Sequence, residues 1–249
     1  MVDYSSLDLP DSIQVLVLDS IHSSNEYLIN KSASDEVLVC IAREQTQGKG
    51  QHQRQWFAQK DSSITLSLRI PFPANVKLNG LSLVVGLAIV NVLEHHYNIE
   101  TLKLKWPNDI YFKHQKLAGI LIENTIEGSR QLPVIGVGLN YHLADDFSCQ
   151  SEWIDLSRIT NNLPDMVELQ QKIIMQIIEY CELFKQRGFG YFHAQWHQYD
   201  YMFNQKLSVK YNNETITGNA HGVGTDGALL VKTEKDIIKL YSSEHIRLI

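Results

Sequence analysis

The chain reads as an α+β protein: a mixed sheet flanked by helices, followed by a small C-terminal β-barrel. Three observations lead there. Short runs rich in Val, Ile and Leu, bounded by polar or turn residues, recur along the chain and have the length and composition of strands. Two long stretches carry helical patterning, one apolar nearly all round and one with a single apolar stripe. From Gln205 onward the texture changes to short strands separated by turn signals, which suits a small barrel. The expected division is residues 1–202 for the larger domain and 203–249 for the smaller.

Taken in order, "SIQVLVLD" and "EVLVCIAR" are the first two strands. Between Arg43 and Trp56 lies "REQTQGKGQHQRQW", two glycines, three cationic side chains and five glutamines, with almost nothing that could enter a core. "SSITLSLRI" is a third strand. "GLSLVVGLAIVNVLEHHY" is a buried helix that fills one sheet face. Its apolar centre, Leu81 to Leu93, is too short to span a membrane. In "LKLKW", Leu102, Leu104 and Trp106 alternate with Lys103 and Lys105, so one strand face is covered and the other partly wet. "LAGILIEN" and "PVIGVGLN" complete the sheet.

Asp165 to Arg187 is the clearest helix. Met166, Leu169, Ile173, Ile174, Ile177, Cys181 and Phe184 fall on one stripe. Pro164, Asp165 and Glu168 suit its first turn, Lys185 and Arg187 its last, and Gly188 its end. A second helical stretch covers Tyr191 to Asp200. "KLSVKY", "TITGNAHGV", "ALLVKT" and "IIKLYS" then supply the small barrel.

Composition narrows the function classes. The 249 residues carry a net charge of -6, which argues against a general nucleic-acid binder. Cys40, Cys149 and Cys181 are far apart and form no CxxC, so no zinc site is expected; Cys40, in an apolar run, and Cys181, on a helix core face, are expected as buried thiols in a reducing, cytoplasmic setting. The N-terminus shows no signal peptide. The histidines give no HExxH pattern, and no GxSxG elbow supports a hydrolase triad.

Four stretches could carry chemistry. In "GKGQHQR", Gly48 and Gly50 permit positive φ and close approach, so successive N–H groups could face an anion, while a solvated loop explains them equally well. In "KWPNDIYFKHQKLAGILIEN", Pro107 puts Asn108 and Asp109 at a bend. If the strands from Ile110 and Lys116 pair as a hairpin, Asp109 and Lys116 converge near one sheet end. Gly136 and Gly138 of "VIGVGLN" clear one strand face, either for a ligand or for close packing, with Asn140 at the strand end. In "HSSNEYL", Ser24 or Asn25 is expected to cap a helix.

These stretches, in this order, resemble the biotin protein ligases. "KWPNDIYFKHQKLAGILIE" is a near-literal match to that family's KWPND block, and "DS…SSNEYL" resembles its DSTNxxL. "QTQGKGQHQRQW" stands in the place of its glycine- and arginine-rich loop, "VIGVGLN" matches its hhGhGhN, and "HGVGTDGALLV" looks like the turn of its C-terminal SH3-like barrel. The similarity runs over residues 13 to 249.

The resemblance implies a class II synthetase-like catalytic domain. It implies an enzyme that joins biotin to ATP with Mg²⁺, giving biotinyl-5′-AMP, and passes biotin to one lysine of a carboxylase carrier domain. Carried over by motif position, Ser23, Ser24, Asn25 and Gln45 hold biotin, with Lys49, Gly50, Gln51 and Lys116 assisting. ATP is met by Gly48, Lys49, Gln51, Arg54, Trp56, Asn108 and Asn140. Lys116, Arg54 and Asp109 serve catalysis, and Asp109 the metal. The polar segment is then a lid that orders on its ligand.

Departures remain. Lys49, Gln51, His52 and Gln53 stand where the family usually has glycine and arginine, with arginine usual at position 51. "SSEHIRLI" is about one residue short of the family's C-terminal pattern, which leaves Glu244 and Arg247 without an assigned role. About a dozen residues precede the first strand, too few for a winged helix, so with the negative charge DNA is not an expected partner; nor is a membrane, given the short apolar run. A homodimer is left open. A lipoate or octanoate ligase would share the fold and the lysine but not the KWPND block. A biotin sensor without catalysis would lose Lys116 or Asp109, and this chain has both.

Overall fold

The computed structural model describes residues 2–147, 152–211, 214–242 and 245–249, with Cys149 and Glu244 outside that set. In chain order its elements are β1 (Ile13–Leu18), α1 (Ser24–Ile29), β2 (Val37–Ala42), β3 (Gln45–Lys49), β4 (Gln55–Ala58), β5 (Ser63–Arg69), β6 (Phe72–Pro73), α2 (Leu81–Tyr97), β7 (Leu102–Lys105), β8 (Asp109–Phe112), β9 (Gln115–Glu127) and β10 (Arg130–Asn140). There follow α3 (Leu156–Ile159), α4 (Met166–Arg187), α5 (His193–Tyr199), β11 (Lys206–Tyr211), β12 (Glu214–Val223), β13 (Leu229–Lys232), β14 (Ile237–Leu240) and β15 (His245–Leu248).

The large sheet runs β1-β2-β5-β10-β9-β8-β7, with the short β6 added beside β10. Only β1 and β2 pair in parallel, so the sheet is mixed. β5 lies in its middle, and its seven residues are all buried. Its alternation divides the molecule. Ile64, Leu66 and Leu68 join the main hydrophobic core, which includes α2 and α4. On the opposite face Ser67 contacts Ser24 and Asn25 of α1, and Arg69 reaches past the end of that helix.

Both long helices follow the pattern of their apolar residues. α2 buries eleven of its side chains or glycine positions and ends at Asn98, whose φ of 53° leaves the helical region. α4 starts as its sequence specifies: the Asp165 carboxylate accepts from the N–H groups of Val167 and Glu168 at 3.0 Å. All seven residues of its stripe are buried.

α1 is short and is held from behind. The fully buried Arg69 guanidinium donates to the carbonyls of Leu28, Lys31 and Ser32 at 3.1, 2.8 and 2.7 Å. A cation there satisfies carbonyls that the helix end leaves open. The opposite end of α1 is thereby fixed over β5. The helix cap is Ser23, not Ser24 or Asn25: its Oγ accepts from Glu26 N at 3.4 Å. Shifting the cap one residue earlier turns Ser24 and Asn25 inward.

The polar stretch Arg43–Trp56 folds locally. β3 and β4 form a two-stranded hairpin closed by a single 3-10 turn at Gln51–Gln53. Neither glycine there takes a positive φ; the left-handed residue is His52, at 55°. Gly48 is needed for close approach, since a Cβ would lie 2.3 Å from the Trp56 carbonyl oxygen. The Gly50 N–H is donated to the Arg54 carbonyl at 2.7 Å, so this loop is not a row of free amides facing an anion.

The C-terminal strands form an antiparallel sheet in the order β14-β13-β12-β11-β15. Its apolar side chains, among them Leu207, Val209, Leu229 and Val231, are continuous with the main core. Trp106, read from its sequence as part of an alternating strand, lies just beyond β7. Its indole N–H donates to the Gly227 carbonyl at 3.0 Å and ties the two sheets together.

Candidate functional site

A cavity of about 1000 Å³ opens over the α1 face of the large sheet. Its floor comes from strand register. Directly opposed residues in antiparallel strands share a face, and the pairs Thr65–Gly138, Gly138–Gly119 and Gly119–Asp109 make one row across β5, β10, β9 and β8. A second row runs Ser67–Gly136–Leu121.

The glycines of these rows clear space, and the protein's own side chains enter it. A Cβ on Gly138 would lie 2.2 Å from the Trp56 ring, and one on Gly136 would lie 2.4 Å from Asn25 Oδ1. The indole of Trp56 therefore lies across the Gly138–Gly119 pair, and Asn25 lies against Gly136. The flat floor expected for a ligand is covered first by Trp56, which then offers its own surface to the cavity.

At one end sit the charged groups. Lys116 Nζ is 2.7 Å from Asp109 Oδ1, and both side chains are about one-fifth to one-quarter exposed. The expected convergence of these two residues is present. The main chain of Lys116 is clamped: its N–H donates to the Glu152 carbonyl and its carbonyl accepts from Ile154 N, each at 3.0 Å. Asn108 fixes the bend before Asp109, because its amide donates to the Ile120 carbonyl at 2.7 Å. Asn140 donates to the Ile154 and Lys116 carbonyls at 3.0 and 3.3 Å, so its amide braces the same region. Lys105 lies nearby over the Tyr111 ring, and burial lowers its ammonium pKa, opposed by the charge of Asp109.

At the other end is a polar network. Gln45 Oε1 accepts from Ser24 N at 2.7 Å and Ser24 Oγ at 2.9 Å. Ser67 Oγ lies 2.7 Å from Ser24 Oγ and 2.6 Å from Asn25 Oδ1. The Asn25 amide donates to the Glu123 carboxylate at 2.9 Å and more weakly to the Leu121 carbonyl.

The hairpin forms the roof. Lys49, Gly50, Gln51 and Arg54 border both this cavity and an adjoining one of about 1100 Å³, which Gly48 also lines and which reaches Tyr241 beside the C-terminal sheet. Lys49 Nζ is 3.1 Å from the Glu26 carboxylate. Arg247, on β15, borders neither cavity.

Several residues here escape a reading of motifs. Ser67 and Thr65 belong to a strand whose polar residues occur at every second position, a signal that a central strand has a polar buried face. Phe57, Phe147 and Trp153 form an aromatic group at the cavity, with centroids 6.0 and 5.1 Å apart along the series. Nothing in their sequence spacing joins them. His193 and His197 stand four apart on α5, a spacing that metal sites use. His193 instead contacts the Val223 carbonyl at 2.6 Å, and His197 packs on Phe203. Among the described residues no three His, Cys, Asp or Glu side chains gather as a metal cage. Cys40 and Cys181 are buried free thiols, each pushed up to about 12 by burial.

Comparison with known proteins identifies the family. The model of the Biotin/lipoate A/B protein ligase family matches residues 17–140. The chain is 32% identical over 247 residues to the bifunctional ligase/repressor BirA of Escherichia coli K12, covering 96% of this chain and 75% of that protein. The biotin–[acetyl-CoA-carboxylase] ligase of Mycobacterium tuberculosis is 36% identical over 134 residues, covering 51% of this chain and 49% of that one. Among solved structures, the Aquifex aeolicus biotin protein ligase in complex with biotin and ATP superposes with a TM-score of 0.82 at 26% identity, covering 95% of this chain and 99% of that one. Fold, cavity and relatives coincide: the chain belongs to the biotin protein ligases, within the biotin/lipoate A/B protein ligase family.

Proposed function

We propose that this chain is the ligase that activates biotin with ATP and transfers it to a lysine of a carboxylase carrier domain. The observation that carries the reading is the Lys116–Asp109 pair, 2.7 Å apart and set at the charged end of a cavity whose opposite end is lined by the neutral side chains of Ser24, Asn25 and Gln45. A long acid with a polar ring fits that arrangement, with its carboxylate at Lys116 and its ring toward Ser24, Asn25 and Gln45.

In the first step a carboxylate oxygen attacks the α-phosphorus of ATP, and the bond to pyrophosphate breaks. Negative charge builds on the phosphoryl oxygens and is offset by fixed cations. Lys116 supplies one at the reacting group, and Arg54 supplies another from the roof. In the second step the carrier amine attacks the acyl carbon, loses a proton, and AMP leaves. Between the steps the hairpin keeps water from the mixed anhydride.

Magnesium fits this site as an ion that arrives on the nucleotide. Asp109 is the one carboxylate lining the 1000 Å³ cavity among the described residues. Mg²⁺ commonly takes one or two protein carboxylates together with substrate phosphates and water. It would neutralise phosphate charge there, with Asp109 as its protein ligand.

The five-stranded C-terminal sheet is read as an SH3-like barrel and residues 203–249 as its domain, on the strength of the strand order and the turn at Asp226–Gly227. The net charge of -6 and the buried free thiols support a cytoplasmic enzyme that does not bind DNA at physiological salt. No helix among the described residues is long and apolar enough to cross a membrane. Biotin-dependent exchange of labelled pyrophosphate into ATP tests the central reading. Exchange supported by lipoate and not by biotin would replace it.

A further inference from the structure

Asn25 lines the cavity and is only 4% exposed, so its amide is held mostly by the protein. It lies against Gly136, in the row Ser67–Gly136–Leu121. The next row on the same face is Arg69–Val134–Glu123. Asn25 is therefore gripped from two strands, by Ser67 of β5 and by Glu123 of β9.

The neighbours of the amide differ in kind. The Leu121 carbonyl and the ionised Glu123 carboxylate, at 3.3 and 2.9 Å, can only accept. The amide nitrogen must face them, which leaves Oδ1 to the Ser67 hydroxyl at 2.6 Å. The Leu121 contact is long, and a bond to a charged acceptor is roughly twice as strong as a neutral one, so Glu123 does most of the orienting. Ser67 has one hydroxyl proton for two neighbours. Asn25 Oδ1 has none to offer and takes it, whereas Ser24, 2.7 Å from Ser67, has a proton of its own. The hydrogen-bonding sense of the network is thus fixed from its Glu123 end.

Glu123 exerts this hold from outside the substrate cavity. It lines the adjoining cavity of about 1100 Å³ and not the one that Ser24, Asn25 and Gln45 line. A glutamine there could turn either end of its amide to Asn25, and a carboxylate leaves one choice. We infer that Glu123 is a positioning residue for the acid substrate. Its carboxylate holds the Asn25 amide in one of two orientations, and so sets which hydrogen-bonding groups meet the ring half of that substrate. This rests on the biotin reading above, in which the ring lies toward Ser24, Asn25 and Gln45.

Calorimetric titration of biotin into the full chain tests it, in Glu123→Met, Glu123→Gln, Asn25→Ala and the variant carrying both Asn25→Ala and Glu123→Met, with a melting curve of each. Methionine keeps the approximate length of the side chain and removes the acceptor. Affinity is expected to be about five- to tenfold weaker in Glu123→Met, the loss of about one net hydrogen bond. KM for biotin should rise by a similar factor and kcat change less, as for a contact made equally before and during reaction. Glutamine can still accept, and should restore affinity to within about threefold. In the Asn25→Ala background Glu123→Met should alter affinity by less than about twofold, because no amide is left to orient. Equal losses in the two backgrounds, or unchanged affinity in Glu123→Met, overturn the inference and leave the proposed function standing. A lower melting temperature with unchanged affinity assigns the bond to the scaffold and also overturns it. A wild type that binds no biotin removes the proposed function and this inference together.

Discussion

The floor of the cavity and its roof are built on opposite plans. The floor strands β5, β10 and β9 present Ile64, Leu66, Val137, Leu139 and Ile120 to the core, each at most 2% exposed. Whatever lies on the other face of those strands is held by a packed interior. The β3–β4 hairpin has no such backing. Lys49 and Phe57 are each nearly half exposed, and the attachment is mainly polar, through Thr46 N to the Ile21 carbonyl and Gln47 N to the His22 carbonyl at 2.9 Å, the Gln45–Ser24 bonds and the Lys49–Glu26 pair. Segments with few buried apolar contacts open at low free-energy cost. Trp56 belongs to both regions, with its backbone in the hairpin and its ring on the floor. Ordering of the roof is thus coupled to the floor through one side chain.

The largest effect should come from the floor's charged end. Lys116→Ala is expected to lower adenylate formation by at least about a hundredfold, the range for loss of one preorganised charge contact. Pyrophosphate exchange measures it. A rate within a few-fold of wild type would mean the roof alone carries the stabilising charge.

Next come two glycine substitutions that set floor against roof. Gly138→Ala puts a methyl 2.2 Å from the Trp56 ring, above a backed strand. Gly48→Ala puts one 2.3 Å from the Trp56 carbonyl, inside the exposed hairpin. Overpacking a rigid site costs about 1–3 kcal/mol, so Gly138→Ala should lower the melting temperature clearly. The hairpin can splay, so Gly48→Ala should cost well under half as much while still reducing exchange about tenfold, through misplacement of the lid. Equal melting shifts would show that the two regions are equally rigid.

The same contrast explains what the sequence makes legible. Floor and core follow from periodicity: the α4 stripe is buried residue by residue, "SSITLSLRI" contains β5 to within a residue at each end, and "PVIGVGLN" ends with β10, which starts three residues earlier at Arg130. Those patterns encode burial, and burial is what fixes them. The hairpin has no apolar period, so its position in the chain is readable only by resemblance; the positive φ expected of its glycines belongs to His52, while the close approach expected of them is present at Gly48. The aromatic group of Phe57, Phe147 and Trp153 joins residues far apart in sequence, and no local pattern marks it. Thr65 and Ser67 lay in view as alternate polar residues. Their importance depends on β5 being central, which is a matter of strand order.

Asp109→Asn gives a more moderate expectation. The amide keeps the shape of the bend and removes the charge, so the Mg²⁺ concentration needed for half-maximal exchange should rise about five- to tenfold. Calorimetry of biotin without nucleotide should change by less than about twofold. A collapse of biotin affinity would make Asp109 a structural partner of Lys116 rather than a metal ligand.

The smallest effect expected is in the roof, at Gln51. Arginine is usual there in the resemblance drawn from the sequence, and this side chain borders both cavities. A glutamine can donate a hydrogen bond to phosphate but brings no charge, and charge-assisted bonds are roughly twice as strong as neutral ones. Lys49 makes up little of the difference, since its ammonium is already 3.1 Å from Glu26. The loop is open to solvent, so salt screens part of any added charge. Gln51→Arg should therefore slow dissociation of biotinyl-5′-AMP by about three- to tenfold, less than a buried contact would give. It should also reduce stray labelling of lysines on unrelated proteins, because the reactive anhydride escapes less often. Rapid dilution of the preformed adenylate complex measures the release rate in both forms, and the difference should shrink as salt is raised. Equal rates at low salt would show that Arg54 and the floor already hold the phosphate, and that the roof contributes closure rather than charge.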